Sequence, residues 1–149
     1  MSNYKSLSSI VDTVLKSFVS LIKFKRISIK NNVPSSLNNV NGNADIIILL
    51  LFYLIDFALK NISKQGLIEI GADDKEKELE VWVKDNSIGI PNELKRIIFE
   101  RQYNQIQNKN LGLSIAKRIA DIYGGKIWVE SEIGRGNTFI FTIPNRDYI

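Results

Sequence analysis

The chain has 149 residues, 44% of them hydrophobic and 24% charged, with a net charge of +4. That length suits one domain around a single core, and the absence of cysteine and histidine excludes disulfides, zinc–thiolate sites, thiol catalysis and any phosphate-accepting histidine within this chain. The basic residues are scattered rather than striped, so no nucleic-acid surface is read from them.

The opening MSNYKSLSSI has no apolar stretch behind a basic head, so no signal peptide is expected. Leu7, Ile10, Val11, Val14, Leu15, Phe18, Leu21 and Ile22 recur at three- and four-residue spacing. They predict one amphipathic helix over 6–24, its first turn served by Ser8 or Ser9. Arg26–Lys30 alternates as a strand with Ile27 and Ile29 inward. Residues 31–43 are rich in Asn, Ser, Pro and Gly and read as loop, with room for a short strand near Val40. Ala44–Ile62 is the most apolar helix, capped by Asn43 or Asp45 and ended by Ser63-Lys64-Gln65-Gly66. Its apolar run Ile46–Ile55 is far shorter than the about 20 residues a bilayer requires. A buried core helix, no direct membrane insertion and a cytoplasmic location are therefore expected.

Leu67–Ala72 and Glu78–Lys84 read as strands joined by the charged turn DDKEK. Leu79, Val81 and Val83 take one face of the second strand, and Glu80, Trp82 and Lys84 the other. Pro91–Glu100 predicts a short helix with Pro91 at its first position. Residues 101–110, rich in Asn and Gln, predict a mobile loop. Leu111–Tyr123 is a helix ended by Gly124, and Lys126–Glu132 with Asn137–Ile143 forms a hairpin across Ile133-Gly134-Arg135-Gly136. The sum is an α/β (α+β) two-layer sandwich over 1–149: a mixed, mostly antiparallel sheet of about five strands with three main helices on one face.

Three stretches in order, VWVKDNSIGIP, LGLSIAKRIADIYGG and KIWVESEIGRGNTFIFTIP, resemble the ATP-binding half of sensor histidine kinases, the GHKL family. The resemblance covers nearly the whole chain and is strongest from Leu111 onward. Against the family's D-x-G-x-G stands Asp85-Asn86-Ser87-Ile88-Gly89. The resemblance implies that Asp85 accepts a hydrogen bond from the exocyclic amine of adenine; Gly89 matches, and Ser87 replaces the first glycine. The bland alternative is that Asp85 ends a strand and caps a turn. Against N-x-x-x-N-A-x-K stands Tyr53-Leu54-Ile55-Asp56-Phe57-Ala58-Leu59-Lys60. Ala58 and Lys60 match, but Tyr53 and Phe57 replace the two asparagines, and a phenyl ring offers no oxygen to Mg²⁺. Asp56 points about 100° around the helix from the required position, unless the helix is turned to present it. Against G-x-G-x-G stands Asn108-Lys109-Asn110-Leu111-Gly112, which keeps only Gly112. Asparagine tolerates positive φ, so either the loop persists as a weak anion site aided by Lys109 and the helix amides, or Asn108 and Asn110 simply cap the helix. Phe99 is similar to the residue that anchors the family's lid. Asn137 stands where a threonine is typical, with Thr138 next to it.

The candidate nucleotide-binding residues are thus Asp85, Gly89, Lys60, Asn108, Lys109, Asn110, Gly112 and Thr138, with no catalytic residue and no metal ligand assigned. The resemblance implies weakened ATP or ADP binding without Mg²⁺ in the usual site. It points to a pseudokinase-like interaction or regulatory module of two-component signalling, without a dimerisation hairpin in this chain. The partner expected is another signalling protein, a kinase helical hairpin or a response regulator. The alternatives are a working catalytic domain that phosphorylates a histidine outside this chain, and a stand-alone regulator resembling the anti-sigma-factor kinases.

Overall fold

The computed structural model describes residues 6–37, 40, 43–101, 103 and 111–145. Helix α1 spans Leu7–Lys16, and its N-cap is Ser6, one turn before the residues expected to serve it. Ser9 N donates to Ser6 Oγ at 3.1 Å, and Ser9 Oγ donates to Ser6 O at 2.8 Å. The single helix expected over 6–24 is two. The chain leaves helical geometry at Phe18 (φ −116°, ψ 12°) before α2, Val19–Lys25, begins. The break turns Phe18 inward onto Phe52, ring centroids 5.0 Å apart, and aromatic packing of this kind outweighs one uninterrupted turn.

Strand β1 is Ser28–Asn31. Val40 lies in no strand, and its neighbours 38–39 and 41–42 are outside the described residues. Helix α3, Ala44–Asn61, has Asn43 at its N-cap without a side-chain cap bond. Its other end is closed by a side chain far away in sequence: Lys25 Nζ donates to Leu59 O at 2.6 Å and to Ile62 O at 3.2 Å. A cation on the last carbonyls of a helix satisfies otherwise orphaned acceptors. Lys25→Met is expected to lower unfolding free energy by about 1–2 kcal/mol, read by chemical denaturation.

Strands β2 (Leu67–Asp74) and β3 (Glu78–Asp85) follow. The helix expected over 91–100 is two single 3₁₀ turns, Asn92–Leu94 and Ile97–Phe99. Pro91 precedes the first in extended geometry, ψ 146°. Most of the loop expected over 101–110 lies outside the described residues. Helix α4 is Leu111–Ile122, and the chain closes with β4, Lys126–Glu132, and β5, Gly136–Pro144.

The five strands form one mixed sheet in the order β1-β2-β3-β5-β4; β1 runs parallel to β2 and the other pairs are antiparallel. Because side chains alternate faces along a strand, Ile68, Ile70, Val81, Val83, Phe139 and Phe141 share one side. They are fully buried there with Leu50, Leu51 and Leu54 of α3. Burying a side chain of this size stabilises the fold by about 1.5–3 kcal/mol. The β3–β5 register sets Val83 opposite Phe139 and Asp85 opposite Asn137, which carries the core face of the sheet directly into the candidate site. Among the described residues no helix is long and apolar enough to cross a membrane.

Candidate functional site

Asp85 is the last residue of β3 and only 3% exposed. The chain then turns back, and Ser87 donates twice to Asp85 Oδ1, from its backbone N at 2.9 Å and its hydroxyl at 2.5 Å. Across the strand pair, Asn137 Nδ2 donates to Ser87 Oγ at 3.0 Å. The order of donors is forced. The single hydroxyl proton goes to a carboxylate, which only accepts, so the hydroxyl lone pair must receive the amide N–H. The amide is thereby oriented, and its other end, Asn137 Oδ1, is buried with no hydrogen-bond partner among the described residues.

The turn after Asp85 is fastened to the β4–β5 hairpin. Ile90 N donates to Ser131 Oγ at 2.6 Å, Ser131 Oγ donates to Gly136 O at 3.2 Å, and Gly134 N donates to Ile88 O at 2.6 Å. Gly89 has φ +98°, and a Cβ there would lie 2.5 Å from Glu132 O, so the position requires glycine on both counts.

Helix α3 faces this corner with two aromatic rings, one turn apart. Phe57 meets Phe139 edge to face at 5.1 Å between centroids, and Phe99 meets the same ring at 6.1 Å. Tyr53 lies against the start of α4, where a Cβ on Gly112 would sit 2.9 Å from Tyr53 Cδ1. Asp56 turns away and pairs with Lys60 at 2.9 Å. No three His, Cys, Asp or Glu gather as a metal-binding group among the described residues.

Asp85 and Gly89 therefore sit in one turn, joined by Ser87 and Asn137. Gly112 faces Tyr53, and the Lys60 ammonium is a surface group engaged by Asp56. Thr138 does not join them. Alternation along β5 puts it on the opposite face of the sheet, in an open groove with Trp82, Lys84, Trp128 and Ile140, so the side chain beside Asp85 is Asn137. Asn108, Lys109 and Asn110 lie outside the described residues. Sequence reasoning missed the part of Ser131, which holds both the turn and the hairpin. Its signal was the serine of the V-x-S stretch, read only as part of a strand.

The family described as histidine kinase-, DNA gyrase B- and HSP90-like ATPase matches residues 42–147. The chain belongs to this family. Within it, the chain is a histidine-kinase-type ATP-binding domain. The sensory kinase SasA of a Synechocystis species is 30% identical over 145 residues, covering 93% of this chain and 38% of the relative. The nucleotide-free catalytic domain of histidine kinase ThkA superposes with a TM-score of 0.83 at 30% identity, covering 94% of both chains. ThkA in complex with the response regulator TrrA superposes with a TM-score of 0.79, covering 94% of this chain and 40% of that one. The chain thus spans about a third of the length of the SasA relatives it matches. The histidine-kinase-type sheet, with its helices on one face, is the architecture expected from the sequence.

Proposed function

We propose that this histidine-kinase-type ATP-binding domain is a pseudokinase-like interaction or regulatory module of two-component signalling, a single domain in which magnesium-dependent phosphate chemistry has been given up. The observation that carries the reading is the aromatic pair on α3. Tyr53 and Phe57 stand where the family has its two asparagines, and both rings are engaged, on Gly112 and on Phe139. A hard divalent cation takes oxygen ligands, and neither a phenyl ring against Phe139 nor an Asp56 already paired with Lys60 answers that need. Mg²⁺ does not fit these residues. The turn at Asp85 is kept, which supports residual metal-independent recognition of a base. Outward, α4 leaves Leu111, Ile115 and Ile122 exposed, apolar surface that suits a protein partner. ThkA was solved with a response regulator, and a response regulator or a kinase helical hairpin is the corresponding partner for this domain.

The test is to restore the asparagines. The unaltered domain is expected to bind ADP without regard to Mg²⁺, and the Tyr53→Asn/Phe57→Asn double variant, checked for folding by circular dichroism, to gain Mg²⁺-dependent affinity of about tenfold or more, as expected for recovered charge-assisted contacts. Phosphate transfer by the unaltered domain to a histidine on a kinase hairpin supplied in trans would overturn the reading.

A further inference from the structure

The sheet face turned away from the helices carries two tryptophans. In the register, Ile140 of β5 stands between Trp82 of β3 and Trp128 of β4, and all three line an open groove of about 450 Å³. Ile140 is only 5% exposed, and both tryptophans are half-buried. The Trp82 indole lies across Gly71 of β2, where a Cβ would come within 2.0 Å of the ring. A ring laid over the sheet leaves room for a second sheet, which packs about 10 Å away.

Charges frame this apolar row in alternation. On one side the register sets Lys84 of β3 and Glu130 of β4 beside Thr138; on the other it sets Glu80 of β3 and Lys126 of β4 beside Thr142. Each cation thus has a carboxylate along its own strand and another two strands across. Lys84, Glu130 and Lys126 are exposed. Lys75 pairs with Glu80 at 3.0 Å, and the Trp128 indole N–H donates to Glu130 at 3.3 Å. Among the described residues no salt bridge reaches Lys84 or Lys126.

We propose that a second copy of this chain docks on this face, sheet against sheet, about a two-fold axis running along β5. That rotation exchanges the β3 and β4 sides and keeps the position along the strands. Lys84 of each copy meets Glu130 of the other, and Lys126 joins Lys75 on Glu80. Trp82 meets Trp128, and Ile140 meets its own counterpart. A two-fold interface requires a patch complementary to itself, and the alternation of signs about Ile140 is that pattern. A two-fold axis across the strands would instead set Lys84 on Glu80, already paired, and Glu69 on Asp73, two carboxylates. The overlap covers three strands, about 15 Å at their usual spacing, so the pairing is weak and reversible.

The experiment is analytical ultracentrifugation of the full chain from about 10 µM to about 1 mM, near 0.15 M salt, where the net charge of +4 is largely screened. Self-association with a Kd on the order of 100 µM is expected. Lys84→Glu and Glu130→Lys, each checked for folding by circular dichroism, should each weaken it about tenfold or more, because each sets like charges together. Mixed one to one, the two variants should pair again, since the new carboxylate of one meets the new ammonium of the other. Trp128→Ala should abolish pairing. A chain that stays monomeric to about 1 mM overturns the proposal and leaves this face to a different partner. So does self-association that ignores both charge reversals, or a mixture that pairs no better than either variant alone. None of these outcomes bears on the proposed function, which rests on Tyr53 and Phe57 on the helix side of the sheet.

Discussion

Gly136→Ala is expected to destabilise the domain by about 3 kcal/mol or more, close to a 10 °C fall in melting temperature for a chain of this size. Gly136 has φ +87°, and a Cβ there would lie 2.0 Å from Asp85 O and 3.0 Å from the Cα of Asn86. Both obstacles are backbone, so no rotamer change relieves them. The strain of a left-handed residue adds to the overlap, and the β3–β5 pair must part where Asp85 faces Asn137. The same substitution at Gly134 is the control. Its φ is +86°, but nothing lies within 4 Å of a Cβ there, so only the conformational strain of about 1–2 kcal/mol remains. Thermal denaturation of the two variants side by side checks the difference.

Phe139→Ala is expected to cost about 3–5 kcal/mol, the usual range for truncating a buried phenylalanine. Phe139 is fully buried and is the ring on which both Phe57 and Phe99 rest. Its loss leaves two aromatic partners without their shared contact, each worth about 0.5–1.5 kcal/mol beyond area. Phe57→Ala removes one contact from a half-buried ring and should cost less than half as much. If Phe57 instead proves as costly as Phe139, the α3 ring is a core residue of the same rank. Urea denaturation midpoints for the two variants separate these outcomes.

The periodic parts of the chain were legible in the sequence. The alternation in LEVWV, the apolar stretch of α3 and the two glycine-bounded strands at the C-terminal end fix the sheet and the helix layer, because burial on one face imposes the period on the residues. Sequence period alone does not report where a helix stops for a tertiary reason. Leu15, Phe18, Leu21 and Ile22 continue the spacing of α1, yet the chain breaks at Phe18 to seat it on Phe52, a residue more than thirty positions away. Pro91 to Glu100 failed at its first position: Pro91 takes extended geometry, ψ 146°, instead of opening a helix, and only two single 3₁₀ turns follow. At the site, the motif positions Asp85, Gly89 and the aromatic pair were readable from their residue types. The choice between Asn137 and Thr138 was not. It depends on which parity of β5 faces the helices, and only the β3–β5 register decides that. The hydrogen-bond order from Asp85 through Ser87 to Asn137 is likewise a product of folding.

The proposed loss of the metal site is tested most directly by calorimetric titration of the chain with ATP in the presence and absence of Mg²⁺. Magnesium is expected to leave both the affinity and the heat of nucleotide binding unchanged. Micromolar binding that appears only with magnesium would contradict that loss, and would mean that oxygen ligands reach the ion despite Tyr53 and Phe57.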